Sequence, residues 1–188
     1  MERFARTLVG YHGCQKAFAT KLLLGEQLIE NWTPSENAWD WLGSGIYFWE
    51  HSPNRALRWA REKYGSQGAV VGAVIQLGRC FDLLDESITQ ILADAYNELT
   101  RAFGDENQQL PENRGRDGKL RELDCLVIND CLGRFQYQGI FYDTVRGAFI
   151  EGDPVYPTAG FTRETHIQVA VRNRNCIIGV FRPNLEAT

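Results

Sequence analysis

The chain has no Cys-x-x-Cys pair, no Gly-Lys-Ser/Thr loop, no excess of basic residues and no apolar run approaching the ~20 residues that cross a bilayer. Each absence removes a class of function. The five cysteines, at 14, 80, 125, 131 and 176, stand apart from one another, which argues against zinc, so no metal is expected. An odd cysteine count behind an amino terminus, Met-Glu-Arg-Phe-Ala-Arg, with no long apolar run reads as reduced thiols in a cytoplasmic protein with no membrane partner. The net charge of −4 supplies no global basic field for nucleic acid or anionic lipid. Gly43-Ser44-Gly45 lacks the third glycine of a dinucleotide fingerprint and opens no helix, so a Rossmann reading fails. No internal repeat or low-complexity segment occurs. What remains is a chain of 188 residues, 44% hydrophobic, long enough for one sizeable core and short for two. A single domain, 1–188, is expected.

The hydrophobic pattern divides the chain into short strands with helices set between them. Residues 8–12 form an apolar run that ends at Gly13, predicting a first strand with His12 at its end. Phe18, Leu22 and Leu23 recur at helical spacing over 15–24, and Gly25 supplies the stop. Residues 26–42, with Trp32, Trp39 and Trp41 and no steady period, predict a loop closed by aromatic packing, a candidate lid. Ile46 to Trp49 is aromatic and β-branched, suited to a strand. Ser52-Pro53 opens a helix bearing Arg55, Arg58 and Arg61. Residues 69–77 read as a buried strand continued by 80–84, and a second amphipathic helix should run from a Ser87 cap to Gly104. The polar stretch 105–119, with Pro111, Gly115 and Gly118, is the expected mobile loop. Another helix follows, then strands around 141–149, 165–171 and 176–181. This order favours an α+β domain with antiparallel sheet over a doubly wound one.

Three separated pieces carry the candidate chemistry: Tyr11-His12-Gly13, then Gly43-Ser44-Gly45-Ile46-Tyr47-Phe48, then Thr165-His166-Ile167-Gln168. Together, in this order, they resemble the ADP-ribosyltransferase superfamily, on the branch of poly-ADP-ribose polymerases and bacterial toxins that carries His, Tyr and then Glu, Asp or Gln on successive strands. The resemblance implies an ADP-ribosyltransferase-like split antiparallel β-sheet core with flanking helices, and NAD⁺ as co-substrate. It implies that His12 hydrogen-bonds the adenosine-side ribose, that the Gly13 backbone binds the nicotinamide carboxamide, and that Tyr47 stacks on the nicotinamide ring. On the third strand Glu164, His166 and Gln168 share one face. At ~3.3 Å per residue Glu164 and Gln168 lie roughly 13 Å apart, so only one of them can reach the reacting ribose. The family pattern selects Gln168 and gives His166 an acceptor-side role. In Tyr142-Asp143-Thr144-Val145-Arg146-Gly147 the resemblance makes Arg146 a candidate for the pyrophosphate, which a guanidinium can bind in bidentate fashion, with Arg55 and Arg58 as alternatives.

Breaking the nicotinamide–ribose bond develops an oxocarbenium ion, and a polar group near the 2′-hydroxyl strengthens its hydrogen bond as that charge builds. A glutamine can accept from the hydroxyl but brings no negative charge, which points to a single transfer rather than chain elongation. The resemblance therefore implies a mono-ADP-ribosyltransferase of bacterial toxin or phage-defence type, acting on an intracellular protein or nucleic acid and held in check by an antitoxin or immunity protein. The same motifs would also serve an NAD⁺ glycohydrolase, or a non-catalytic module that binds ADP-ribose or NAD⁺.

Overall fold

The computed structural model describes residues 6–115 and 119–185. The ends of the expected domain and residues 116–118 of the expected mobile stretch lie outside the described residues. Seven strands form one mixed sheet: β1 (Thr7–Gln15), β2 (Ile46–Glu50), β3 (Gly68–Gln76), β4 (Cys80–Asp82), β5 (Thr144–Phe149), β6 (His166–Val171) and β7 (Ile177–Phe181). Four helices accompany them: α1 (Lys16–Leu23), α2 (Pro53–Tyr64), α3 (Glu86–Asp105) and α4 (Glu122–Tyr137). The strand order is β4-β5-β6-β2-β1-β3-β7, antiparallel throughout except for the parallel pair β4–β5. The expected α+β class with an antiparallel sheet is what forms.

The sheet cannot be flat. β3 and β4 stand five places apart in the hydrogen-bonded order, which in a flat sheet is about 24 Å. Yet only residues 77–79 join them, a link that spans at most about 14 Å. The sheet therefore curls until β3 approaches the β4–β5 edge, and Thr144 Oγ1 fastens them by donating to the Leu77 carbonyl at 2.7 Å. The chain does run on from residues 69–77 into 80–82 as the sequence suggests, but the ladder partner changes from β1 to β5. A second consequence lies at the middle. β1 pairs with β3 along nine positions but with β2 at only two, Gly10–Glu50 and Tyr11–Trp49. Beyond Tyr11 the two strands diverge.

Side-chain alternation assigns each strand residue to a face. One face carries Leu8, Phe48, Val71, Ala73, Ile75, Val169 and Val171, covered by Ala19 and Leu22 of α1 and by Trp32. On the opposite face, Phe81, Val145, Phe149 and Ala170 pack under α3 and α4 through Ala95, Leu99, Val127, Ile128 and Leu132. Further along this face Trp49 and Val70 pack under Ala56 of α2. The contact with α2 is close because Gly13 and Gly68 present no side chain: a Cβ on Gly13 would stand 2.6 Å from the Ala56 carbonyl oxygen, and one on Gly68 2.6 Å from that of Ala60.

Local differences from the sequence reading have local causes. β1 runs on through Gly13 to Gln15, because Gly13 and Cys14 still pair with Val70 and Ala69; His12 lies inside the strand, not at its end. Pro53 is the first residue of α2, but Ser52 makes no side-chain capping bond. The α3 cap is Asp85, whose carboxylate accepts from the Ser87 amide and hydroxyl at 2.9 and 2.7 Å, and Gly104 is accommodated one residue before the helix ends. Among the described residues no helix is long and apolar enough to cross a membrane.

Candidate functional site

Where β1 and β2 part, a cleft of about 1130 Å³ opens through the sheet. Its walls include His12, Gly13, Tyr47 and Gln168, together with Trp32, Trp41, Trp49 and Trp59 from the surrounding segments. The two pairs that hold β1 to β2 put Tyr11 and Trp49 on one face, so His12 belongs to the Phe48 face while Tyr47, opposite Ala170, belongs to the face of Gln168. Residues from opposite faces meet in one cavity only because the ladder is interrupted there.

His12 spans the gap. Its Nδ1 lies 2.8 Å from the Tyr47 carbonyl oxygen, and its ring stands edge-on to Trp32 at 4.8 Å and tilted to Phe48 at 5.7 Å. A carbonyl can only accept, so Nδ1 carries the hydrogen and, in the neutral ring, Nε2 keeps a lone pair. Burial holds the ring neutral: its pKa falls from 6.5 to about 4, with the Tyr47 hydrogen bond opposing the fall and Lys63 adding to it. The side chain is thus an acceptor on the cleft wall, suited to a sugar hydroxyl.

Tyr47 is fixed at its far end. Its hydroxyl donates to the Gly43 carbonyl at 2.6 Å and accepts from the Leu42 amide at 2.8 Å, and burial raises its pKa well above 10. The phenol therefore ties down the turn that precedes its own strand, and the ring remains as a flat wall. That turn needs glycine at 43, where φ is +71° and a Cβ would meet the Asn129 side chain. Asn129 Oδ1 accepts there from the Ser44 amide at 3.0 Å and from Arg172 at 3.2 Å. Gly13 lines the cleft with its backbone, but the missing side chain faces α2, so helix packing alone accounts for the glycine.

Gln168 is buried yet lines the cleft. Its Nε2 stands 3.0 Å from His166 Nε2, and His166 Nδ1 stands 2.8 Å from the Glu164 carbonyl oxygen. His166 does not line the cleft. It is 5% exposed, packs against the rings of Trp41 and Phe149, which also touch each other at 4.7 Å, and has both ring nitrogens engaged. That geometry places the residue expected on the acceptor side behind Gln168, off the cleft wall. Glu164 reaches the cleft but is committed to Arg55 at 2.7 Å and Arg58 at 3.4 Å; the hydrogen bond from Arg55 lowers its pKa.

Arg146 is not in the cleft. It pairs across β5–β6 with Val169, which puts it on the face opposite Gln168. There its Nε donates to Glu50 at 2.7 Å, and Nη1 lies 3.3 Å from Asp82, which Arg6 also holds at 2.8 Å. Its charge is already neutralised, so the cations available to a phosphate in the cleft are others: Arg55, Arg58, Lys63 and Lys119 line it. Lys63 sits over the rings of Trp59 and Tyr64 at 4.7 and 5.4 Å. Arg55 is bonded to both Glu151 and Glu164, while its buried Nε has no partner among the described residues.

Glu151 is the site residue that the sequence reading missed. It lines the cleft with its side chain 9% exposed, bonded to Arg55 and 3.7 Å from His166 Nδ1. Alternation continued from Val145 and Phe149, which share the Gln168 face, would have found it. Among the described residues no group of three or more His, Cys, Asp or Glu is placed to hold a metal ion. No protein-family model, no curated protein and no solved structure matches the chain.

Proposed function

We propose that the protein is an NAD⁺-dependent mono-ADP-ribosyltransferase with the split-sheet architecture of that superfamily, cleaving the nicotinamide–ribose bond and passing ADP-ribose to a macromolecule. The observation that carries the reading is the meeting of His12, Gly13, Tyr47 and Gln168, from three separate motifs, in one cleft where the sheet parts. Each group has a task in that reaction. His12 Nε2 accepts from the adenosine-side ribose, the anchored Tyr47 ring stacks on nicotinamide, and the Gln168 carboxamide oxygen accepts from the 2′-hydroxyl as positive charge grows on the sugar. Arg58 and Lys63 at the cleft wall replace Arg146 as partners for the pyrophosphate. Glu151 lines the same cleft, but its carboxylate is already paired with Arg55, so the stabilisation of the cation rests on the Gln168 oxygen. A toxin-like or phage-defence role, with a neutralising partner that covers the cleft, completes the proposal.

The test uses NAD⁺ labelled on the adenylate, incubated with the protein and with His12→Ala, Tyr47→Ala and Gln168→Ala, in the presence and absence of cell lysate treated with nuclease or protease. Label that becomes bound only with lysate, and disappears in the three variants, establishes transfer, and the treatment that removes it names the acceptor class. Released ADP-ribose without bound label makes the protein an NAD⁺ glycohydrolase. Binding of NAD⁺ without nicotinamide release makes it a binding module, and full activity in the variants refutes the site.

A further inference from the structure

A glutamine can present either end of its amide to a substrate, and only the oxygen can accept from a 2′-hydroxyl. The reading of Gln168 given above therefore needs something to choose the end, and the chain provides it on the same strand. We propose that His166 is a positioning residue that sets the orientation of the Gln168 carboxamide, holding Nε2 inward and leaving Oε1 for the cleft. This inference rests on the proposed role of Gln168 and deepens it.

The chain of bonds has one consistent set of hydrogens. The Glu164 carbonyl can only accept, so the hydrogen of a neutral His166 resides on Nδ1, 2.8 Å from that oxygen. His166 Nε2 is then a lone pair, and the Gln168 atom 3.0 Å from it must be the donor, Nε2. The reversed amide would bring oxygen against a lone pair in a buried setting. A backbone carbonyl four residues away thus decides which end of the glutamine meets the cleft.

The surroundings keep His166 neutral and in place. Phe149 is its cross-strand partner, its ring packing at 5.7 Å centroid distance, and the Trp41 ring lies at 6.1 Å. The charged groups around it are Glu151, 3.7 Å from Nδ1, Glu164 and Arg55 bonded together beside it, and Arg121 over the rings of Trp41 and Phe149 at 4.6 and 5.4 Å. Burial lowers its pKa, with Arg55 acting in the same direction and Glu151 and Glu164 against. A proton gained at Nε2 would turn that atom into a donor, draw Gln168 Oε1 onto it and withdraw the acceptor from the cleft.

The chain has three histidines, so the tautomer can be read directly. In ¹⁵N-histidine-labelled protein at neutral pH, His166 is expected to carry its hydrogen on Nδ1; an Nε2–H tautomer overturns the proposal. Nicotinamide release is followed against pH in the wild type, His166→Phe and His166→Gln. His166→Phe, which removes the acceptor for the amide, is expected to lower kcat roughly tenfold to a hundredfold with little change in KM for NAD⁺. His166→Gln, which offers an oxygen in place of the imidazole nitrogen, is expected to recover most of kcat and to lose the fall in kcat that follows protonation of His166 at low pH. Wild-type kcat in His166→Phe, or an equal loss in both variants, refutes the role. If His166→Phe does not fold, the tautomer and the His166→Gln pH profile decide. An Nδ1–H tautomer with no nicotinamide release from any form sinks the transferase reading while the orientation stands.

Discussion

Lowering the pH should destabilise this protein first through two histidines whose pKa values burial lowers, His12 and His166, and the share of His12 can be isolated. The perturbation is a shift from pH 7 to pH 4 in the wild type and in His12→Gln, whose amide can still donate to the Tyr47 carbonyl but takes up no proton. The unfolded chain binds a proton at His12 near 6.5, the folded protein only at about 4. Between those values the unfolded state holds more protons, so stability rises with pH there: it is fully present above 6.5 and is lost as the pH falls toward 4. At about 1.36 kcal/mol per pH unit the interval is worth about 3 kcal/mol for a fully enclosed ring. One edge of His12 meets the water of the cleft, and screening reduces this to about 2 kcal/mol. Asp85 and Glu164, whose pKa values are lowered by their hydrogen bonds from Ser87 and Arg55, begin to lose stability only as the pH falls through the ordinary carboxylate values at the low end of this interval, and do so equally in both proteins. Urea unfolding followed by tryptophan fluorescence at several pH values gives the midpoint directly. The wild type should lose about 2 kcal/mol more than His12→Gln between pH 6.5 and pH 4. Equal losses in the two proteins would refute a neutral, enclosed His12.

Gly13→Ala places a methyl 2.6 Å from the Ala56 carbonyl and 2.9 Å from the Trp59 ring; the backbone oxygen can move only with α2, so the variant should lose about 1–3 kcal/mol in chemical denaturation, and an unchanged midpoint would show that the helix is not held there. Arg146→Ala removes the partner of Glu50 and leaves Asp82 to Arg6 alone, and should cost about 2–3 kcal/mol of stability; under the proposed function KM for NAD⁺ stays near the wild-type value, and a large rise in KM would return Arg146 to the pyrophosphate.

The elements were legible where a short-range signal exists. Gly25 ended α1 and takes φ +75°, Pro53 opened α2, and the unbroken apolar run at 69–77 made the strand at the centre of one core. Long-range pairing had no such signal. Nothing local says that Cys80 to Asp82 pairs with β5 rather than with a neighbour of β3, and the curl of the sheet follows from that choice. The candidate site divides in the same way. His12, Tyr47 and Gln168, named by motif, do lie on strands that line one cleft, because a motif names residues without needing the register. Arg146 was misplaced because its face depends on register: one position decides whether it sits with Gln168 or with Val169. Alternation put His166 on the right face, but the rings of Trp41 and Phe149 that close over it come from distant parts of the chain.

The rim of the cleft is also less divided than its sequence suggests. The Trp41 indole N–H donates to the Lys119 carbonyl at 2.9 Å, and the Arg121 guanidinium lies over the ring of the same indole at 4.6 Å. A short bridge between Arg114 and Leu120 anchors the base of the second segment. Trp41 and residues 119–121 are therefore tied together at one indole. The indole that makes both contacts also packs against His166, so a single tryptophan links the rim of the cleft to the residue behind Gln168.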